Sequence, residues 1–271
     1  MAYCSARRKP PRAALITGAS RGIGKAFAQA LPPATHLVLT ARSGPDLDAL
    51  RASLESDAGR TVTAVDADLA DPAGLEKVCQ AANEAEIDLL IANAGMGVYG
   101  RFLDRPAGKH RATVDLNINA VLGLLHSILP DMVVRARENR RRAGVIVMGS
   151  SAGFVPVPNL ATYAATKAFL LSFSEALSAE LATEPVDILC ACPGATRTGF
   201  GRSAGFQGDQ LPFAMEPGDV ARKALRALGR RRTLLIESGP GKLLQPAADA
   251  RSLFAGLLRR SLDGATAARR R

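Results

Sequence analysis

Tryptophan is absent from this 271-residue chain, aromatic residues make up only 4%, and histidine and cysteine occur three and four times. Each shortage excludes something. A protein that grips single-stranded nucleic acid needs aromatic platforms among its cations, and none interleave with the arginine clusters at 140–142, 230–232 and 269–271. The net charge of +10 is therefore read as solvated faces and a basic tail, with weak attraction to anionic surfaces or metabolites, and no nucleic-acid partner is expected. His36, His110 and His126 are scattered, and Cys4, Cys79, Cys190 and Cys192 lack metal-ligand spacing, so no metal is expected. Cys190 and Cys192, on a strand candidate, are expected to face opposite sides and stay unpaired, as free thiols of a reducing compartment. No uninterrupted apolar run approaches the ~20 residues that span a bilayer. The basic start M-A-Y-C-S-A-R-R-K-P-P-R has no following signal-peptide core. The expected location is cytoplasmic.

What is present alternates. Short apolar runs at 13–17, 36–40, 61–65, 89–93, 144–148, 186–192 and 233–236 read as strands. Amphipathic stretches at 23–31, 46–58, 72–84, 108–137, 161–182 and 217–228 read as helices between them. Strands that are apolar throughout, rather than every second residue, belong to a parallel sheet covered on both faces. Right-handed crossovers then give an α/β, doubly wound, Rossmann-like parallel sheet of about seven strands. One catalytic domain is expected at 13–238, with a basic extension at 1–12 and a helical or flexible basic extension at 239–271. The glycine-rich stretch 199–216 follows a strand end and is read as a substrate loop. Residues 253–262 can form an amphipathic helix.

Directly after the first strand stands T-G-A-S-R-G-I-G, with Gly18, Gly22 and Gly24 opening a helical stretch. Glycines there let the backbone turn and approach a pyrophosphate, which rests on helix N-terminal amides. Between a first strand and a first helix, that spacing points to a dinucleotide. The second strand ends in T-A-R-S, with no carboxylate before Asp46. An acidic residue at this place accepts from a ribose hydroxyl, whereas arginine meets a 2′-phosphate. Arg42, with Arg21 in the loop, therefore predicts NADP(H).

Tyr163 and Lys167 lie four apart in a long helix candidate, with Ser150 thirteen positions before the tyrosine. Residues four apart share a helix face. A cation within about 4–6 Å favours a phenolate and lowers its pKa by roughly 1–3 units, which would suit proton transfer to or from a carbonyl oxygen.

These motifs together resemble the short-chain dehydrogenase/reductase family in its compact form, over about 13–236, and are especially similar to a bacterial branch of uncharacterised oxidoreductases. T-G-A-S-R-G-I-G resembles the family's cofactor loop, which implies contacts from Gly18, Ser20, Arg21, Gly22, Ile23 and Gly24. D-A-D-L resembles the adenine-contacting segment, through Asp68 and Leu69. A-N-A-G is similar to N-N-A-G, with alanine in place of the first asparagine, and keeps Asn93 and Gly95. L-N-I-N carries the family asparagine at Asn117, with Asn119 the competitor by spacing. The arithmetic 163 − 150 = 13 favours Ser150 over Ser151. P-G-A-T-R-T resembles the segment at the nicotinamide end, through Pro193, Gly194, Thr196 and Thr198.

The resemblance implies hydride transfer between NADP(H) and a carbonyl or secondary alcohol. Tyr163 is the implied general acid/base and Lys167 the phenolate-favouring cation that also binds ribose. Ser150 holds the carbonyl oxygen, and Asn117 anchors a water that links Lys167 to solvent. Stretches 95–102, 153–160 and 199–215, with Phe200, Phe206, Leu211 and Phe213, should surround a mostly apolar substrate pocket rimmed by Arg101 and Arg202. A hydrophobic substrate is expected, and a homodimer or homotetramer built on the two long helices. The alternatives are a catalytically idle NADP(H)-binding regulator, a nucleic-acid binder, and epimerisation or dehydration by the same pair.

Overall fold

The computed structural model describes residues 9–206, 213–237 and 240–251. Its strands are β1 (Ala13–Thr17), β2 (His36–Ala41), β3 (Val62–Asp66), β4 (Leu89–Ala92), β5 (Ala143–Met148), β6 (Val186–Pro193) and β7 (Thr233–Ile236). All pair in parallel, in the order β3-β2-β1-β4-β5-β6-β7. The chain runs outward from β1 to β3 and then returns to β4 on the other side of β1. That reversal opens a crevice beyond the carboxyl ends of β1 and β4, where doubly wound sheets bind their ligands.

The helices are α1 (Gly22–Ala30), α2 (Gly44–Ala58), α3 (Pro72–Glu84), α4 (Ala107–Val114), α5 (Ala120–Glu138), α6 (Ala161–Glu180), α7 (Phe200–Ala204) and α8 (Pro217–Ala227). Alternation along each strand divides the core between the two faces. Ala14 and Ile16 of β1 pack with Phe27, Leu47 and Val220 from α1, α2 and α8. Ala13 and Leu15 pack with Val78, Leu124 and Ile128 from α3 and α5. Phe27 has no exposed surface, and truncating such a side chain to alanine costs about 3–5 kcal/mol.

The stretch expected as one helix at 108–137 is interrupted. A π turn over Asp115–Asn119 separates α4 from α5, and such turns often accompany functional positions. Taken together, Ala107–Glu138 is long and apolar enough to cross a membrane by length and composition, although half of its apolar window is buried. Val121, Leu125 and Leu129 belong to the core against the sheet. α7 forms within the stretch read from sequence as an irregular loop, of which 207–212 lie outside the described residues.

The expectation for Cys190 and Cys192 is corrected. Residues two apart on a strand share a face. Both thiols point the same way, buried with Leu171, Leu235 and Ala248, their sulfurs 3.6 Å apart. Cys4 lies outside the described residues, as do 253–262 and 269–271. Residues 240–251 pack onto the sheet through Ala248 and through Arg251, which lies 3.2 Å from the buried Glu175. The two described arginine clusters supply ion pairs rather than a continuous basic stripe: Arg142 pairs with Asp187 and Arg231 with Asp249.

Candidate active site

The glycine loop joins β1 to α1 at the crevice. Gly18 takes a φ of 63°, a left-handed turn that glycine tolerates best. Gly24 is needed for closeness: a Cβ there would overlap the Gly18 carbonyl and the Asn93 amide. No side chain caps the N-terminus of α1, so its first amides are available to an anion. Asn93, at the end of β4, donates from Nδ2 to the carbonyls of Thr17 (2.8 Å) and Gly18 (3.2 Å). Thr17 Oγ1 accepts from the amides of Asn93 and Ala94, both at 2.9 Å. This lacing fixes the loop against the neighbouring strand end.

One cavity of about 680 Å³ extends from this loop to the catalytic candidates. Gly18, Ser20, Arg21, Gly22, Ile23, Arg42, Asp68, Leu69, Asn93 and Gly95 line it, as do Ser150, Tyr163, Lys167, Pro193, Gly194, Thr196 and Thr198. Gly24 and Asn117 stand behind its wall. Arg42 lies 4.0 Å from Asp68, with both side chains well exposed, a pairing worth about 0–1 kcal/mol. Its guanidinium thus remains available to a second anion. Loop, uncapped helix and cavity fit a dinucleotide.

Tyr163 and Lys167 stand one turn apart on α6, with Nζ 5.7 Å from the phenol ring centroid. Lys167 is buried and donates to the Met148 carbonyl at the end of β5, at 2.8 Å. Ser150, just beyond β5, accepts the Ala152 amide at 3.2 Å and so caps the short turn Ser151–Gly153. That bond uses its oxygen as an acceptor and leaves its hydroxyl hydrogen to donate, here toward the Tyr163 phenol.

The expected direction of the tyrosine's shift is reversed. Burial pushes the Tyr163 phenol up to about 12, with the hydrogen bond to Ser150 opposing it. Burial also brings the Lys167 amine down to about 8, opposed by the neighbouring thiols of Cys190 and Cys192. Desolvation is the largest influence on both groups.

Asn117, in the π turn, is fully buried. Its Oδ1 accepts from the Met96 amide (2.9 Å), and Nδ2 donates to the Met96 carbonyl (2.9 Å) and Thr166 Oγ1 (3.0 Å). Asn119 instead bonds to Asp115 on the surface. The amide hydrogens of Asn117 are spent within the protein. A water held here would have to donate, to Oδ1 or to a backbone carbonyl.

Of the expected substrate walls, Gly95, Leu160, Phe200, Phe206 and Phe213 line the cavity. Leu211 lies outside the described residues. Tyr99 stacks behind Phe206, with centroids 5.4 Å apart, and Phe200 sits 5.3 Å from Tyr163. Three residues expected there stand apart from the cavity. Phe102 is 59% exposed and packs against His110, and Arg101 faces solvent beside Asp104, so neither reaches the cavity. Arg202 does not line it either. Glu237, immediately after β7, does line it and was missed by the sequence reading. The available signal was an acidic residue at the carboxyl end of a parallel strand.

A family model described as short chain dehydrogenase matches residues 12–207, and the chain belongs to that family of oxidoreductases. It is similar to Oxidoreductase UcpA of Escherichia coli (strain K12), 31% identical over 224 residues that cover 82% of this chain and 81% of that protein. Among solved structures, it is similar to a short-chain dehydrogenase from Sphingobium yanoikuyae in complex with NADPH. The TM-score is 0.76 and the identity 32%, with 96% of this chain and 94% of that one covered. A short chain dehydrogenase/reductase from Burkholderia phymatum in complex with NAD matches with a TM-score of 0.75 and 25% identity, over 87% and 92% of the two chains.

Proposed function

We propose that the protein reduces a hydrophobic ketone or aldehyde, or oxidises the matching secondary alcohol, with NADP(H) as hydride partner and Tyr163 as general acid/base. The observation that carries this reading is the meeting of Tyr163, Lys167 and Ser150 in the cavity that also holds the glycine loop and Arg42. Arg21 and Arg42 favour a 2′-phosphate over a free hydroxyl. When bound, the dinucleotide supplies or accepts the hydride.

The chain's own groups handle the oxygen and its proton. A phenol held near 12 is protonated at pH 7, so Tyr163 is ready to donate to an alkoxide as it forms. The Ser150 hydroxyl can donate to the same oxygen and so stabilise its growing charge. Lys167 supplies positive charge behind the phenol. Asn117 fixes Met96 and Thr166 around this pair and offers acceptors to a water that can reprotonate the site.

A cytoplasmic homodimer or homotetramer completes the proposal. The test is loss of NADPH absorbance across ketones and aldehydes graded in size and polarity. Turnover confined to polar or phosphorylated compounds would overturn the hydrophobic class, and lower KM for NADH than for NADPH would overturn the dinucleotide.

A further inference from the structure

Few side chains that line the cavity are charged. Leu160, Phe200, Phe206 and Phe213 line the cavity, and Lys167 and Glu237 are its charged side chains, among the described residues, outside the dinucleotide end. The other charged lining residues belong to the glycine loop and to the region beyond β2 and β3. Lys167 is engaged with the Met148 carbonyl. Glu237 is held differently. It follows Ile236, which pairs with Pro193 and accepts the Gly194 amide at 3.0 Å. Its carboxylate passes between Gly194 and Gly241, and a Cβ on either glycine would overlap it. No ion pair or hydrogen bond to that carboxylate occurs among the described residues.

A carboxylate that lines the cavity with no ion pair or hydrogen bond among the described residues can pair with a cation brought in by a ligand, in a charge-assisted contact. Phe200, Phe206 and Phe213 line the same cavity, and aromatic faces together with an anionic group bind organic ammonium ions. We infer that Glu237 determines substrate choice by pairing with the ammonium group of an amino-bearing hydrophobic ketone or secondary alcohol. This rests on the redox reading above and narrows its substrate class. Substrates with a carboxylate or phosphate at this position are disfavoured by like charge.

The test compares an aryl ketone carrying a dimethylammonium group with its isosteric isopropyl analogue, under NADPH, for wild type, Glu237→Gln and Glu237→Asp. Wild type should favour the ammonium ketone in kcat/KM by about tenfold or more, the scale of one charge-assisted contact. Glu237→Gln should erase that preference, keep the isopropyl ketone within about threefold of wild type and leave the KM for NADPH unchanged. Glu237→Asp should keep part of the preference. Calorimetric binding of the matching alcohols to wild type with NADP+ should show the same order, independently of any variant's folding. Equal turnover of the two ketones by wild type, or a preference that survives Glu237→Gln, would overturn the inference and leave the redox reading standing. So would a KM for NADPH raised equally with both ketones, which would assign the carboxylate to the dinucleotide. A hydroxyl analogue preferred over the ammonium ketone would overturn it too. Hydride transfer to none of these ketones would instead refute the redox reading, and the inference with it.

Discussion

Replacing Lys167 by methionine should stabilise the protein at neutral pH while abolishing its activity. An ordinary lysine amine titrates at 10.5, and burial brings Lys167 to about 8. At about 1.4 kcal/mol per pH unit, keeping this ammonium in the fold costs about 3 kcal/mol. Methionine removes that cost and fills most of the volume. It also loses the bond to the Met148 carbonyl, a loss of about 1–2 kcal/mol. The net gain expected near pH 7 is about 1–2 kcal/mol. The sign follows from proton counting. Between about 8 and 10.5 the unfolded chain binds more protons at this lysine than the folded one, so wild-type stability rises with pH there. Lys167→Met lacks that rise, and its advantage should shrink and then reverse across the window. Urea unfolding of both proteins at about pH 7, 9 and 10.5, with m-values compared, reads the difference directly. A stability difference that does not change with pH, or a variant weaker at every pH, would refute the claim that a buried charge is carried at a cost.

Three further outcomes follow from the same geometry. Tyr163→Phe should fold normally and bind dinucleotide, yet lose about 10²–10⁴-fold in kcat, measured by steady-state kinetics beside a dinucleotide titration; near-normal turnover would remove the tyrosine's role. Arg42→Asp should shift the ratio of kcat/KM values toward NAD(H), because it exchanges a phosphate-binding guanidinium for a ribose-binding carboxylate; an unchanged ratio would show that Arg42 does not read the 2′ position. With Tyr163 near 12, carbonyl reduction should be nearly flat across neutral pH. Alcohol oxidation needs the phenolate and should climb with pH, as paired rate profiles in the two directions would reveal.

Much of this was legible in the sequence, for identifiable reasons. The strand candidates match the observed strands to within one residue at each end, because a parallel sheet buried on both faces demands unbroken apolar runs. The glycine loop was legible because its spacing reflects a backbone that must come close to Gly18 and Asn93. Other features depend on what the chain brings together. Glu237 belongs to no local motif, and its place in the cavity comes from the pairing of β7 with β6 beside Gly194. The break at Asn117 was hidden because its partners, Met96 and Thr166, arrive from distant segments. The shared face of Cys190 and Cys192 was legible from strand alternation alone and was misread.

The reversed tyrosine shift follows from the same division. Four-residue spacing tells that an amine can come near a phenol, but not how much water surrounds either, and here exclusion of water decides the outcome. Burial raises the phenol and lowers the amine, so each moves toward its uncharged form. At pH 7 the phenol keeps its proton and the amine, near 8, keeps most of its charge, which is the state a reductase needs before its substrate arrives. Oxidation requires the opposite phenol state, and a second positive charge in the cavity would favour it by lowering the phenol. On the proposed reading the resting phenol is poised to donate, and a cationic ligand in the cavity would ease the reverse reaction.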